Sequence, residues 1–459
     1  MGFGGNGLES KKYEINMTQG SILKSIALFV MPLIIGNMLQ LLYNAADLVV
    51  VSRFAGSSAM ASVGATGALS ALIVNLCVGF SLGASVVVSR SFGAGDEEGV
   101  SNAVHTAMVL SIILGVFSLV CGISCSKVML TLMGTPEGKV LDGAVLYMRI
   151  YFLGIPGTMV YNFGASILRA VGDTRRPLYI LSLSGIINVL LNLVLVIVFH
   201  LNVAGVAIAT GVANYVSAIA VTVLLVRNNT ACKLCLGKLK IHKQELKETV
   251  KIGLPAGLQS SVFSLSNSVI QSAVNSFGEI AVAGNAAAGN IEGFVYVAMN
   301  SVSQATITGV SQNNGAQRPD RVKRTVSISA LLVTVLGLVL GGLCILFSDS
   351  LLKIYITDSP DAVSFGRLRI LCVCLPYFLC GLMDVLAGAL RGIGCSVVPM
   401  INSLIGACGL RVVWMWLVLP HFRSPQMLYY VWPISWVAVI VMHLVCVAVM
   451  KKRGMDTPF

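Results

Sequence analysis

The carboxylate of Asp47, near the end of a long apolar stretch, is the side chain whose type and position best suit ion-coupled chemistry. The stretch runs from Met31 to Val51 and reads MPLIIGNMLQLLYNAADLVVV. A charged side chain at membrane depth costs several kcal/mol, so acids within spans commonly line a cavity or an ion path. We therefore expect Asp47 to bind a proton or a cation. The alternative is an acid near a span end that reaches interfacial water.

Neutral polar side chains on later spans are candidates to surround this acid. Asn188 and Asn192 lie four residues apart, so a helix would place them on one face, and Thr210 follows in the next apolar run. Their oxygens can coordinate a monovalent cation or hydrogen-bond a protonatable carboxylate. The alternative is that the amides only hold neighbouring helices together.

The second half of the chain carries two further acids within apolar runs, Glu292 and Asp384. The same cost of an isolated charge predicts that both face a cavity rather than lipid. An apolar cavity with two or three acids suits amphipathic organic cations. The residues predicted to contact such a substrate are Tyr43, Asn44, Gln271, Glu292, Met299 and Asp384. For the tyrosine and the methionine, helix packing is the competing interpretation.

Two arginines and a pair of cysteines have simpler interpretations. Arg369 lies near the outer end of its predicted span, where we expect it to snorkel to the interface. Arg411 lies deeper, and we expect it to cap a carbonyl or to pair with an acid. Cys232 and Cys235 form a lone CxxC with only His242 nearby, a pattern that does not favour a metal site.

Composition places the chain in a membrane. It has 459 residues with a mean hydropathy of +0.86, and 11% of them are charged, against roughly 25% in a soluble domain. The opening residues MGFGGNGLES hold no apolar h-region after a basic n-region, so no signal peptide is predicted. The net charge of +12 is better explained by membrane orientation than by nucleic-acid binding.

Apolar runs between charges and Pro or Gly breaks predict twelve transmembrane helices. Their approximate ranges are 22–52, 57–89, 100–124, 139–170, 177–199, 204–226, 250–276, 280–309, 322–347, 362–390, 396–419 and 427–450. Basic residues concentrate in the tails and in alternate loops, so the positive-inside rule puts both termini on the cytoplasmic side. The predicted parts are an N-terminal tail over 1–21, a six-helix lobe over 22–226, a loop over 227–249, a second lobe over 250–450 and a tail over 451–459.

The sequences of the two lobes indicate an internal repeat. Short motifs recur at nearly constant separation: Pro32 with Pro255, Ser89 and Gly93-Ala94 with Ser311 and Gly315-Ala316, and Leu168-Arg169, Gly172 and Pro177 with Leu390-Arg391, Gly394 and Pro399. Six spans is an even number, so the halves share an orientation and form parallel repeats related by a pseudo-two-fold axis along the membrane normal. Within the spans, Pro32 matches Pro255 and Pro156 matches Pro376, and this placement predicts bends shared by both halves.

This all-α, two-lobed architecture is typical of transporters that open a central cavity alternately to either side of the membrane. The sequence contains no P-loop of the form GxxxxGKS or GxxxxGKT, so we expect an ion gradient rather than ATP to drive transport. We expect no catalytic residues, no metal site and no cofactor apart from the coupling ion, H+ or Na+.

The motifs resemble those of the multidrug and toxic compound extrusion (MATE) family over about residues 18 to 452. They are Pro32 with Asp47, SRSFGAGD at 89–96, ILRAVGDTRRP at 167–177, VSQNNGA at 310–316 and LAGALRGIG at 386–394. The resemblance implies twelve helices in two lobes, and export of cationic or amphipathic drugs and metabolites in exchange for H+ or Na+. It also implies a cation site made of Asp47, Asn188, Asn192 and Thr210.

One position departs from the family pattern. Many members carry Asp where this chain has Asn192, which leaves Asp47 as the only acid of the implied cation site. The loss of one negative charge favours a proton over tight sodium binding. As partners we expect small organic cations or amphipathic molecules and membrane lipid, but no nucleic acid, and we expect a monomer in the inner membrane.

Rival functions stay open at this point. A lipid or polysaccharide flippase of the same wider superfamily would often carry more spans and cationic residues for anionic cargo, and Arg411 is the residue that fits it. A membrane-embedded enzyme, such as a lipid-linked transferase, would need clustered acids, histidines or a metal motif, and the sequence shows no such cluster. A channel fits the two-lobe repeat less well.

Overall fold

The structure, a computed structural model, describes residues 13–50, 54, 57–133, 135, 137–357, 359–454 and 457. These residues form helices with no β-strand among them, which confirms the predicted all-α fold. One compact unit holds Met31–Gly257 with the described part of Met1–Asn16, and a second holds Met17–Val30 and Leu258–Phe459. Residues 1–12 of the tail predicted over 1–21 lie outside the described residues.

The helices of the first half are α1 (Ile22–Val50), α2 (Ser57–Ala94), α3 (Glu97–Leu132), α4 (Lys139–Ala170), α5 (Arg175–Leu193) and α6 (Asn202–Arg227). α5 continues as a π-helical turn over Val194–Val198. The helices of the second half are α7 (Lys243–Asn275), α8 (Glu279–Gly315), α9 (Pro319–Leu346), α10 (Ser348–Tyr355), α11 (Pro360–Cys374), α12 (Tyr377–Gly392), α13 (Val397–Ser403), α14 (Leu410–Val413) and α15 (Pro425–Lys452). Two π-helical turns, Leu404–Gly409 and Trp414–Val418, flank α14 and continue α13 into one span.

Most of these helices are membrane spans by their length and composition. Within the described residues, nine helical segments are long and apolar enough to cross a membrane, and α11 with α12 forms a tenth that is bent by 43°. α7 and α8 fall outside this set because Ser, Thr, Asn and Gln interrupt their apolar runs. Together these segments coincide with the twelve predicted spans.

Local sequence explains where several helices begin. Asp96 precedes α3, and its Oδ1 accepts a hydrogen bond from the Gly99 N–H at 2.9 Å. Ser424 caps α15 in the same way, with its Oγ 3.3 Å from the Met427 nitrogen. Pro319 opens α9, where a missing N–H costs nothing. These residues satisfy or remove amide groups that the first helical turn leaves without partners.

The internal repeat is visible in the backbone at helix ends. Gly172 follows α4 at φ +89°, and Gly394 follows α12 at φ +89°. Glycine is favoured at both positions because a Cβ is strained in the left-handed region. The matching positions after α2 and α8 are Gly95 at φ +72° and Gln317 at φ +53°. The second unit therefore keeps this turn without the glycine.

Each unit ties these helix ends together with the same hydrogen bond. Ser89 of α2 donates from Oγ to the Ala170 carbonyl of α4 at 3.1 Å. Ser311 of α8 donates from Oγ to the Gly392 carbonyl of α12, also at 3.1 Å. The motif repeat found in the sequence therefore corresponds to a repeated packing contact between buried polar groups.

The matched prolines do not all interrupt their helices. Pro32, Pro156 and Pro255 lie inside continuous helices. Pro376 instead stands between α11 and α12, which meet at 43°. Of the four prolines at matched positions, only Pro376 interrupts its helix.

Two glycines of α9, four residues apart, face the break at Pro376. A Cβ on Gly337 would lie 2.7 Å from Cα of Phe378, and one on Gly341 would lie 2.2 Å from the carbonyl oxygen of Cys374. Small residues at helix interfaces in membranes allow this close backbone packing. Two features therefore accompany the break. Pro376 lacks the N–H that a continuous helix would use, and α9 packs closely against the backbone on both sides of the proline.

We expect Gly341→Val to destabilise the second unit by about 1–3 kcal/mol, because the new side chain overlaps the Cys374 carbonyl and forces α9 away from the break. Gly342→Val is the matched control, since a Cβ at Gly342 meets nothing within 4 Å. Thermal unfolding of both purified variants in detergent measures the difference. Equal melting temperatures would show that this close approach does not stabilise the fold.

Candidate functional site

Four polar side chains of the first unit form one hydrogen-bonded chain across α1, α5 and α6. The Asn192 amide donates from Nδ2 to Oδ1 of Asp47, and also to Oδ1 of Asn188 at 3.3 Å. Asn188 donates from its own Nδ2 to Oγ1 of Thr210 at 3.3 Å. Thr210 donates in turn to the Val206 carbonyl at 3.0 Å. The structure therefore brings together the four residues predicted to form the cation site.

This polar chain lies in buried surroundings. Asn192 is fully buried and Asn188 is 8% exposed, whereas Asp47 is half-buried. The side-chain oxygen of Asn192 has no hydrogen-bond partner among the described residues. A buried oxygen without a donor costs about 1–3 kcal/mol. This oxygen belongs to the amide that donates to Asp47, so it is an open acceptor close to the carboxylate.

Apolar and aromatic side chains form a cluster about one helical turn from the polar chain. A buried cluster against which Tyr147 of α4 packs consists of Val50, Val196, Val203 and Val206. Tyr147 stacks on Tyr151 with the ring centroids 5.9 Å apart, and it lies near the Asp47 carboxylate. Sequence reasoning missed Tyr147, because an aromatic residue in a span looks the same whether it packs or lines a site. The available signal was a phenol at membrane depth, which needs a polar partner.

Tyr43 and Asn44, which were predicted to contact substrate, lie outside the polar chain. The Tyr43 ring packs on Gly185 of α5, where a Cβ would lie 1.9 Å from the ring. Its hydroxyl donates to the Ser182 carbonyl at 3.4 Å. Asn44 is exposed. Tyr43 thus packs α1 against α5 and positions the helix that carries Asp47.

In the second unit, Glu292 is paired with a cation. Its two carboxylate oxygens accept hydrogen bonds from Nε and Nη2 of Arg369, at 2.8 and 2.7 Å. The side chains are 7% exposed for Glu292 and 12% exposed for Arg369. The prediction that Arg369 snorkels to the interface is wrong, because an acid on a neighbouring helix gives its charge a closer partner.

A polar network extends from this pair. Arg369 donates from Nη1 to the backbone and side-chain oxygens of Asn285. The Asn285 amide donates to Oε1 of Gln271 at 3.1 Å, and its oxygen also accepts from the Tyr429 hydroxyl at 3.2 Å. Gln271 is thereby connected to Glu292 through two intermediate residues.

Asp384 and Met299 stand apart from that network. The Asp384 carboxylate interacts electrostatically with Arg391 on the same helix, and its backbone carbonyl accepts from Ser303 at 2.9 Å. Met299 is fully buried and lies beside Gly381, where an added Cβ would be 3.0 Å from the methionine sulfur. The structure does not bring the predicted substrate residues of this unit into one cluster.

Arg411 is a buried cation that has no carboxylate partner in the described part of the chain. It is 3% exposed and donates to Oγ of Ser435 at 3.2 Å and to Oδ1 of Asn267 at 3.3 Å. Its guanidinium lies 5.7 Å from the ring centre of Phe263 and 5.6 Å from that of Trp432. The expected carbonyl cap or acid pair is therefore replaced by a hydroxyl, an amide and two aromatic faces. These groups stabilise the charge without neutralising it.

The cysteine pair lies in a loop that packs against α3. Cys232 is fully buried, and burial raises the pKa of its thiol. The Cys235 backbone N–H donates to Nε2 of His105 at 3.1 Å. Over the residues that the structure describes, no three His, Cys, Asp or Glu side chains are placed to hold a metal ion.

The sequence model of the MatE family matches this chain twice, over residues 32–194 and 255–417. The two stretches correspond to the two halves of the internal repeat, and together they make up well over half of the chain.

Individual relatives cover nearly the whole chain. It is 28% identical over 415 residues to the "Probable multidrug resistance protein YoeA" of Bacillus subtilis, with 89% of each chain covered. It is 26% identical over 395 residues to the "FAD transporter" of Shewanella oneidensis, with 85% of each covered. The crystal structure described as "MATE in complex with MaD3S" superposes with a TM-score of 0.88 at 22% identity, covering 96% of this chain and 99% of that one. The predicted twelve-helix, two-lobed fold is thereby confirmed.

We expect the loss of either partner of the buried Glu292–Arg369 pair to destabilise the second unit by about 3–5 kcal/mol, because the remaining charge stays buried and unpaired. Glu292→Gln and Arg369→Gln are the single variants. The double variant should recover much of the loss, since it leaves no unpaired charge. Thermal unfolding of the three purified variants measures this coupling.

The exposed pair of Arg367 and Asp349 is the control, since its 3.5 Å contact joins side chains that are 56% and 54% exposed. Arg367→Gln should cost at most about 1 kcal/mol. A double variant of the buried pair that is no more stable than the single variants would contradict the assignment of Glu292 and Arg369 as mutual partners.

Proposed function

Because this chain belongs to the MatE family of multidrug efflux transporters, we propose that it is a secondary active antiporter that exports organic cations or amphipathic drugs and metabolites in exchange for protons. A relative named as a probable multidrug resistance protein supports this substrate class. Each elementary charge that moves through 100 mV releases about 2.3 kcal/mol, so one or two protons per cycle suffice for uphill export. Relatives in this family are transporters rather than enzymes, and we assign no catalytic residue.

The observation that carries the proposal is the hydrogen-bonded chain from Asp47 to Thr210. Asp47 is its only acid, and the amide N–H groups of Asn192 and Asn188 point along the chain towards oxygen acceptors. A sodium ion needs several oxygens turned towards it, whereas donor groups turned towards a carboxylate suit a site that gains and loses a proton. The arrangement therefore favours a proton as the coupling ion.

A proton changes the partners that Asp47 requires. The charged carboxylate accepts the Asn192 N–H, whereas a protonated carboxyl also holds an O–H that needs an acceptor. The open acceptor is the oxygen of the same Asn192 amide, so rotation of that amide lets it serve both states. We propose that this exchange changes how α1 is bound to α5 and so biases the transport cycle.

The transport cycle that we propose is one of alternating access, in which two lobes, 22–226 and 250–450, expose a central cavity first to one side of the membrane and then to the other. The distribution of basic residues supports an inner-membrane location with both termini cytoplasmic. In this proposal the protein acts as a monomer and needs no cofactor apart from the coupling ion.

The contacts of Glu292 in the second unit help to decide which predicted residues can bind the substrate. Glu292 is neutralised by Arg369, so we propose that it positions the arginine and its aromatic neighbours rather than binding a free cation. Among the other predicted contacts, the exposed amides Asn44 and Gln271 are more accessible than the fully buried Met299. Of the six predicted contacts, Asn44, Gln271 and Asp384 stay in the proposal as substrate contacts. Tyr43, Glu292 and Met299 are assigned to packing and positioning.

A second candidate function is transport of an anionic or lipid-linked cargo, as in flippases of the same wider superfamily. The observation that favours it is Arg411, a buried cation that no described carboxylate neutralises. A guanidinium in such surroundings binds phosphate or carboxylate strongly. The relative named as an FAD transporter supports an anionic cargo in the same way.

Purified protein in liposomes loaded with a fluorescent organic cation separates the two candidates. A proton gradient and a sodium gradient are imposed separately, and the movement of the dye is followed. Movement driven by protons supports the antiporter. Dye that moves with neither gradient, or does not move at all, favours the second candidate.

We expect Asp47→Asn to abolish proton-driven dye movement while membrane insertion and thermal stability change little, because the amide keeps the shape of the side chain but cannot exchange a proton at this position. Asp349→Asn is the control, since Asp349 is an acid with a 54% exposed side chain outside the polar chain. Undiminished transport by the Asp47 variant would rule out its role in coupling.

We expect Asn192→Asp to make transport respond to a sodium gradient. The substitution places a second carboxylate beside Asp47, and two acids with the oxygens of Asn188 and Thr210 provide the negative charge that a monovalent cation needs. Rates of dye movement at rising sodium concentration compare this variant with the unchanged protein and with Asn229→Asp, which adds an acid at an exposed position of the loop after α6. If the sodium response is the same in all three proteins, residue 192 does not select the ion.

A further inference from the structure

A groove in the second unit combines an apolar wall with arginines at one end. It lies between the start of α1 and the first half of α9, and its volume is about 560 Å³. Arg321 and Arg324 line one end, and Leu331 and Val335 line the other. Both sides belong to the same unit, which includes Met17–Val30 of the early chain. We call this feature the α1–α9 groove.

The polar end of the α1–α9 groove is strongly basic. Four of the seven residues in Arg318–Arg324 are cationic, with Asp320 as the one acid. Lys24 adds a further cation next to Leu23, which lines the groove. Every residue that lines the groove is neutral or basic, and the ion pairs of the described chain involve none of these cations. The complementary ligand is therefore an anion.

Contacts with neutral groups hold Arg321 in place. Its Nη2 donates to the Met17 carbonyl at 3.0 Å and to the Gly20 carbonyl at 3.2 Å, and its Nε donates to Oδ1 of Asn313 at 3.2 Å. These acceptors orient the guanidinium without cancelling its charge. Arg324, three residues further along α9, is exposed. The groove thus offers one fixed and one adjustable guanidinium.

The apolar wall has the length of one lipid leaflet. Leu331 is 66% exposed and Val335 is 49% exposed, on a helix that is long and apolar enough to span a membrane. The rise from Arg324 to Val335 is about 16 Å at the α-helical rise per residue. Half of the hydrocarbon core of a bilayer is about 15 Å thick. An acyl chain that starts at Arg324 would therefore reach the middle of the bilayer along this wall.

We propose that the α1–α9 groove binds an anionic phospholipid, with the phosphate diester at Arg321 and Arg324 and one acyl chain along Leu331 and Val335. The match of charge and length makes a lipid a better occupant than a free anion, which would leave the apolar wall uncovered. Because Arg321 also holds two backbone carbonyls that precede α1, a bound lipid stabilises the packing of that segment on α9.

Native mass spectrometry of the purified full chain, titrated with phosphatidylglycerol, measures the apparent Kd. Arg324→Gln removes a charge from the groove, whereas Lys323→Gln removes the same charge from an exposed neighbour that does not line it. We expect the first variant to weaken binding about fivefold, the factor that one interfacial charge contributes to anionic lipid, and the second to leave it unchanged. Leu332→Trp should fill the apolar part of the groove and weaken lipid binding. Leu338→Trp is its control, because Leu338 is an exposed residue of α9 outside the groove.

The proposal also requires that phosphatidylcholine with the same acyl chains binds more weakly and that inorganic phosphate does not compete. Equal weakening by Arg324→Gln and Lys323→Gln would indicate diffuse attraction and overturn the site. Competition by inorganic phosphate would indicate an anion site that does not require the lipid tail. If phosphatidylcholine binds as tightly as phosphatidylglycerol, the groove does not recognise the head group. Either result overturns the proposal. Thermal unfolding of each variant establishes beforehand that it is folded.

Discussion

A charge inside a membrane is stable only where partners offset its loss of hydration, and this constraint explains how both units arrange their ionisable side chains. Asp47 receives an amide N–H from Asn192, whereas Glu292 receives the guanidinium of Arg369. The two arrangements differ in consequence. A neutral donor leaves the carboxylate able to bind and release a proton. A guanidinium neutralises the carboxylate and fixes the position of its side chain. This difference supports the coupling role proposed for Asp47.

Arg411 meets the same constraint in a third way. Hydroxyl and amide dipoles and two aromatic rings surround it, so the charge is stabilised but persists. The two units consequently offer different electrostatic surroundings: an acid among neutral amides in one, and a neutralised pair with an additional cation in the other. This difference is consistent with a division of labour between ion coupling and recognition of cargo.

Sequence reasoning recovered the features that depend on local pattern. Long apolar runs gave the spans, and the spacing of Asn188 and Asn192 gave one polar face that the structure brings to Asp47 and Thr210. It failed where the outcome depends on which helices are neighbours. Arg369 was expected to snorkel to the interface. Its partner Glu292 lies on another helix far away in the sequence, so the local pattern could not identify the pair.

The same limit applies to side chains whose type suits two roles. Tyr43 packs on Gly185 and Met299 is enclosed beside Gly381, although an aromatic ring and a thioether can equally line a cavity. Pro376 interrupts its helix whereas Pro156 does not, and their local sequences give no rule for the difference. In each case the deciding contact comes from a helix that the local pattern does not identify.

The paired hydrogen bonds of Ser89 with Ala170 and of Ser311 with Gly392 have a consequence for how such a chain can evolve. They secure the helix ends of each unit with residues separate from the polar clusters around Asp47 and Glu292. Selection for folding and selection for ligand chemistry therefore act on separate positions. After a duplication, one copy can replace its acids and amides while the inherited turns and contacts preserve its fold, which allows the two halves to acquire different ligands.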